Sequence, residues 1–281
     1  MMTQQRERLV LWNMGFHPRK MPSDDVQRSR LDVLERMVGE ISPSIVALQE
    51  APPVDCLQSV LGLDYEVIEG PMRIVTLFLK ERWQIYEPME RARGRALVVK
   101  IESVLPQLRF RVWNVHMPFL WRPLHERRAY LRHLRGDLDA LRQIDKDSLD
   151  LMVGDFNLPP YDKAMVREDG LYANRVQLGA SAKKRVDLES VVCRLFNPSW
   201  VIFGRVQPPY GSFYKASASH GPWLVPDQAI MSAELAIPGE PQVSIIDRIG
   251  GLDLCARSSV RAPKKRVGSD HLPLRVDFRA A

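Results

Sequence analysis

The chain has 281 residues, 45% of them hydrophobic and 26% charged, with a formal net charge of +6. These are the proportions of a soluble globular protein with ample material for one large core. No run of about 18 apolar residues occurs, so no segment is expected to span a membrane.

The polar start, Met1 to Arg8, precedes an apolar run too short for a secretory leader. Cys56, Cys193 and Cys255 are odd in number and widely spaced, without a CxxC pair. They read as reduced thiols of a cytoplasmic protein, small buried groups and no zinc knuckle. The basic balance favours polyanionic partners, because positive potential attracts phosphate.

Residues 9–13 form a short apolar run expected as a buried strand. Val26, Leu31, Leu34, Met37 and Val38 have helical spacing and predict a helix over 26–40. Further strands are expected at 44–49, 74–79, 96–101 and 108–115. The clearest helix is 122–144, where Leu131, Leu134, Leu138 and Leu141 make an apolar stripe. Arg128, Arg132, Arg135 and Arg142 follow helical spacing on another face. Another strand is expected at 150–155, and late strands at 224–231 and 272–278. Residues 197–223, rich in Pro, Gly, Ser and aromatics, read as an ordered loop region of one domain spanning 1–281. Strands alternate with helices early and dominate late, which predicts an α/β protein with mixed sheets.

Five polar clusters fall where these strands run out: Trp12-Asn13, Gln49-Glu50, Asn114-Val115-His116, Gly154-Asp155-Phe156-Asn157 and Ser269-Asp270-His271. Strand ends bordering a crevice are where α/β proteins assemble sites. Residues i and i+2 of a strand share a face, so Asn114 with His116, and Asp155 with Asn157, are expected to face one crevice. Glu50, Asp155 and Asp270 are hard oxygen ligands or bases. Asn13 and Asn157 are neutral amides, and His116 and His271 are proton donors or phosphate contacts. An all-oxygen set of this kind suits Mg2+, with Mn2+ as a substitute, and lacks the thiolates or multiple histidines of a zinc site.

In that order, the clusters resemble the endonuclease/exonuclease/phosphatase superfamily, which includes the deoxyribonuclease-like enzymes. The most specific pieces are Ile45-Val46-Ala47-Leu48-Gln49-Glu50, Gly154-Asp155-Phe156-Asn157 and Gly268-Ser269-Asp270-His271-Leu272-Pro273. The resemblance implies a four-layer α/β sandwich, two facing mixed β-sheets with outer helices, and metal-dependent phosphoester hydrolysis. It implies that Glu50 is the principal metal ligand, with Asp270 assisting and Asn13 beside the metal. Asp155 would take the proton from the attacking water, Asn157 would hold that water or the phosphate, and His271 would contact the scissile phosphate. Asp227, in Pro226-Asp227-Gln228, fits the aspartate that orients His271 and raises its pKa.

His116 matches a second histidine that acts as general acid in deoxyribonuclease-like members. The glutamate that supports it there has no counterpart in residues 72–79, so structural and phosphate-binding roles stand beside acid catalysis. Substrate contacts are expected from Asn114 and from the basic loop Arg261, Lys264, Lys265 and Arg266, which precedes His271. Arg91, Arg93 and Arg95 form a second basic cluster, and Lys183-Lys184-Arg185 a third. Trp200, Phe203, Tyr210, Phe213, Tyr214 and Trp223 can stack bases, line another pocket or pack the loop. His17, His125 and His133 read as core histidines, and His220 carries no assigned role. A nuclease is the expected function. A phosphoesterase for a small or lipid phosphate, or a silent binding module, are the alternatives.

Overall fold

The computed structural model describes residues 6–17, 21–86, 88–104, 108–119, 122–177, 184–187, 190–192, 194–218, 221–237, 242–256, 261–265 and 267–279. In chain order the elements begin with β1 (Arg6–Asn13), α1 (Asp24–Ile41), β2 (Ile45–Gln49), α2 (Val54–Leu61), β3 (Tyr65–Glu69) and β4 (Val75–Leu79). Next come β5 (Trp83–Ile85), β6 (Met89–Arg91), β7 (Ala96–Ser103), β8 (Arg109–His116), α3 (Leu124–Ile144), β9 (Leu149–Asp155), α4 (Lys163–Val166) and β10 (Ala173–Asn174). Then follow β11 (Lys184–Asp187), β12 (Ser190–Val192), β13 (Leu195–Phe196), a 3-10 segment (Pro198–Gly204), β14 (Phe213–Tyr214), β15 (Trp223–Leu224) and β16 (Asp227–Met231). The chain closes with β17 (Val243–Ile245), β18 (Arg248–Ile249), β19 (Leu252–Asp253) and β20 (Leu274–Arg279).

Two large sheets carry the fold. One runs β17-β20-β1-β2-β4-β3, the other β10-β13-β16-β9-β8-β7-β5 with β6 on β7. Both are mixed: β1 pairs β2 parallel and β20 antiparallel, while β9 pairs β8 parallel and β16 antiparallel. Leu9, Leu11, Val46 and Leu48 of the first sheet share one buried cluster with Val99, Val112, Leu151 and Val153 of the second. Val33, Leu34 and Met37 of α1 join that cluster, while Leu131, Leu134 and Leu138 of α3 bury against Val98, Trp113 and Met152. The result is the expected four layers, α/β/β/α. Each fully buried leucine of the α3 stripe contributes about 1.5–3 kcal/mol.

The elements differ from the sequence reading at three points. The strand expected over 224–231 is split into β15 and β16, with Pro226, which has no N–H to donate, at the break. The arginines of α3, expected on a face apart from the apolar stripe, are divided between surface and interior. Arg135 is buried and donates to Asp139 and the Leu171 carbonyl, and Arg142 folds inward onto Asp150. None of His17, His125 and His133 is buried.

Strand alternation on β8 and β9 separates two polar systems. Arg111, Trp113 and Asp150 face α3, while Asn114, His116 and Asp155 lie on the inter-sheet side with Val112 and Val153. On the α3 side Asp150 is fully buried and accepts from Arg111 Nε (2.8 Å), Arg142 Nε (2.7 Å) and Trp113 Nε1 (3.0 Å). Removing one member of a buried ion pair leaves an uncompensated charge. Asp150→Ala is therefore expected to lower unfolding free energy in urea by about 3–5 kcal/mol. A change under about 1 kcal/mol, the scale of an exposed pair, would contradict this reading of the cluster.

Candidate active site

The parallel β1–β2 and β8–β9 pairs bring the ends of four strands to one end of the sandwich. The β8–β9 approach there requires Gly154: its φ is 147°, and a Cβ at that position would lie 1.9 Å from the Val115 carbonyl oxygen. Immediately after it, Asp155 ends β9, and register sets it opposite Asp227, the first residue of antiparallel β16. Asp227 Oδ2 in turn accepts a 2.8 Å hydrogen bond from His271 Nδ1. The His271 carbonyl is held by Trp12 Nε1 (3.0 Å), and its ring packs on Phe213, with centroids 4.6 Å apart.

Asn13, at the end of β1, donates from Nδ2 to Asp155 Oδ2 (3.2 Å) and accepts at Oδ1 from the Gly15 amide (3.1 Å). Asn157 lies beyond the end of β9 with φ at 50°, so strand alternation does not extend to it. Its backbone N–H donates to Asp155 Oδ1 (2.9 Å) and its side chain to the Met117 carbonyl (3.0 Å). Glu50 follows β2 in a left-handed conformation, φ 44°, with its carboxylate 3.7 Å from His116 Nε2.

Burial works against the charge on His271, but Asp227, Asp155 and Asp270 outweigh it and carry its pKa up to about 10. The imidazole is therefore protonated at neutral pH. Burial pushes Asp155 up to about 7; the neighbouring Asp227 adds to this, and the His271 charge opposes it. Glu50 is raised by burial, against the charges of His271, His17 and Arg30. For Asp270 burial acts upward, but His271 and Lys265 outweigh it and hold the carboxyl below its ordinary value. His116 is pushed down to about 3, by burial first and then by the Arg95 charge, so it is a neutral imidazole at pH 7.

Atoms of Asp155, Asp227 and His271 lie within 4.8 Å of one another, close enough for a cation in geometric terms. The positive charge that Asp227 stabilises on His271 disfavours a cation between them. Glu50 and Asp270 fit a hard divalent ion better. Both are part-exposed carboxylates within each other's electrostatic reach. Hard oxygen donors with room for phosphate and water are the coordination that Mg2+ favours.

Several expected substrate contacts are redirected by the structure. Asn114 is fully buried and donates to the Leu48 and Val75 carbonyls and to Thr76 Oγ1, while accepting from Gln49 Nε2. It joins the two sheets and cannot reach substrate. Arg261 pairs with Asp247 and Asp253, and Lys264 donates to the Asp253 carbonyl, so both brace their own loop. Lys265 lies 3.4 Å from Asp270 and does adjoin the site. Arg266, Lys183 and His220 lie outside the described residues. Of the basic triplet 91–95, Arg95 extends over the Tyr130 ring, and its backbone carbonyl accepts from the His116 amide.

Sequence reasoning missed Arg30. It occupies the buried stripe of α1 with Val33, Leu34 and Met37. Its guanidinium donates to the carbonyls of Met14, Gly15, Gly268 and Lys265, clamping the loops that carry Asn13 and Asp270. An arginine inside an apolar helical stripe was the available signal. His17, expected in the core, is exposed, and its charge acts on Glu50.

No protein-family model matches the sequence, and no curated protein is similar to it in sequence. Solved structures are similar in fold. An endonuclease/exonuclease/phosphatase family protein of Bacteroides thetaiotaomicron matches with a TM-score of 0.65 at 14% identity, covering 99% of this chain and 96% of that one. A mannosyl-6-phosphatase of the same organism gives 0.62 at 13%, covering 97% and 99%. TDP2 of D. rerio, complexed with single strand DNA product, gives 0.59 at 16%, covering 97% and 98%. The chain thus has the fold of the endonuclease/exonuclease/phosphatase superfamily.

Proposed function

We propose that the protein is a Mg2+-dependent phosphodiesterase that hydrolyses nucleic-acid phosphodiester bonds by in-line attack of water. The observation that carries this reading is the convergence of two hydrogen-bonded pairs, Asn13 with Asp155 and Asp227 with His271, in one cluster beside the carboxylates of Glu50 and Asp270. Glu50 and Asp270, assisted by Asn13, would hold the cation, and Mn2+ is a chemically suitable substitute. A divalent ion bound there offsets charge that builds on the phosphate.

The chain's own groups supply the rest. Asp155 accepts the proton of the attacking water, with its carboxylate fixed by the Asn157 amide and Asn13 Nδ2. His271, held protonated by Asp227, places positive charge against a non-bridging phosphate oxygen. Neutral His116 has no proton of its own to give as a strong acid, so it serves as a hydrogen-bonding wall of the site. Products with a 5′-phosphate and a 3′-hydroxyl follow if the substrate's 3′ oxygen is the leaving group, the regiochemistry that the resemblance implies. A nucleic-acid substrate is supported by the net charge of +6 and by the single strand DNA held by a protein of the same fold. The cytoplasmic reading rests on the free thiols of Cys56 and Cys255, and no helix among the described residues is long and apolar enough to cross a membrane.

A substrate panel at fixed Mg2+ tests the proposal: plasmid and linear DNA, RNA, a sugar phosphate, a phosphoinositide and sphingomyelin. Polynucleotide cleavage is expected. Turnover of only the small or lipid esters would transfer the activity to that class. Glu50→Ala and Asp155→Ala should each reduce turnover by about 10²–10⁴-fold with an unchanged urea midpoint. Unfolding of both variants would instead mark the two carboxylates as structural.

The pH dependence of kcat/KM follows from the two shifted groups. Asp155 must lose its proton to act as base, so activity rises through about pH 7. His271 must keep its proton, so activity falls near pH 10. Asp227→Asn removes the charge that raises His271 and should shift the alkaline limb to lower pH. An alkaline limb that stays in place in this variant would remove His271 from the mechanism.

A further inference from the structure

Beyond Asn157 the chain forms a rigid rim. The Leu158 carbonyl accepts from Gln228 Nε2 (2.6 Å), and Gln228 Oε1 accepts from Asn197 Nδ2 (2.9 Å). Asn197 also caps the 3-10 segment Pro198–Gly204, accepting from the Ser199 amide (3.0 Å). On the other side Asp162 accepts from Arg128 Nε (3.0 Å) and Nη2 (2.9 Å). Loop and 3-10 segment are therefore tied to one another and to α3.

This frame presents three aromatic rings together. Tyr161 lies with its ring centroid 5.7 Å from Phe203 and 6.4 Å from Trp200, and Trp200 and Phe203 are 6.0 Å apart. Tyr161 is 53% exposed and Phe203 46%. Two large rings left half in water, on a frame built to hold them still, are an unusual use of apolar surface. Arg127 donates from Nη1 to the Asn157 carbonyl (2.6 Å) and from Nε to the Arg122 carbonyl (3.3 Å). Among the described residues Arg127 has no carboxylate within ion-pair distance, since Arg128 takes Asp162. Tyr161 follows Asn157 by four residues, a span of at most about 14 Å. A nucleotide next to the scissile phosphate is therefore within reach of both cation and rings.

We propose that Arg127, Tyr161 and Phe203, backed by Trp200, form a subsite for an unpaired nucleotide adjoining the scissile bond, and that the enzyme prefers single-stranded nucleic acid to duplex. The proposal rests on the phosphodiesterase reading above. A free base offers a π-face to the rings and its phosphate meets the guanidinium. In a duplex those base faces are already stacked on their neighbours and are not available.

The test compares wild type with Tyr161→Ala/Phe203→Ala on three substrates at fixed Mg2+: a single-stranded oligonucleotide, its duplex, and bis(p-nitrophenyl) phosphate, which carries no base. Wild type is expected to favour the single strand. In the double variant kcat/KM for the single strand should fall about 5- to 150-fold more than for the small ester, mostly through KM. Tyr161→Trp/Phe203→Trp should restore it. An unchanged single-strand to duplex ratio, as a protein-docking patch would give, overturns the proposal, as does equal loss on all three substrates. If wild type turns over none of them, the parent reading fails separately. The subsite is then read by fluorescence anisotropy of a labelled oligonucleotide: tighter binding by wild type than by the alanine variant supports it, and equal binding overturns it.

Discussion

The site depends on one buried charge pair, Asp227 with His271. Burial alone would favour the neutral form of His271, and the Asp227 carboxylate reverses that. Together they form a fixed dipole, and the secondary structure determines where that dipole sits. The antiparallel register of β9 and β16 sets Asp227 beside Asp155. Trp12, from the other sheet, holds the backbone of His271. A single pair of side chains thereby records the relative position of both sheets, and Asp155 takes its shifted proton affinity from the same arrangement.

Much of this was legible in the sequence, for definite physical reasons. Strands such as 44–49 and 150–155 are buried on both faces, so they read as unbroken apolar runs, and the polar residues that stop them stand out. Asn13, Glu50, Asp155, Asp270 and His271 were found that way. Strand alternation gave the shared face of Asn114 and His116 but not their depth. Along β8, Asn114 is one step further from the open end than His116, and that step separates a core peg from a site wall.

Tertiary pairing was not legible. The basic loop before His271 looks like a phosphate track until Asp247 and Asp253 are seen against Arg261. Arg30 was passed over for the opposite reason. A buried arginine normally implies a carboxylate partner, whereas here backbone carbonyls of two loops satisfy it. Local composition likewise gave no hint that Tyr161 would meet Trp200 and Phe203, about forty residues later in the chain.

Asn114 has a consequence beyond its own hydrogen bonds. Packed apolar sheets resist separation strongly, but greasy faces offer little resistance to gliding along one another, because one set of methyl contacts replaces another. A carboxamide from one sheet that bonds to main-chain oxygens of the other acts as a dowel. A shift of even an ångström or two would strand several polar groups without water. The dowel lies just beneath the end of the sandwich that carries the candidate site, where lateral drift between the halves would separate its side chains most. It gives the molecule a mechanical zero point from which the spacing of the candidate site's side chains is set.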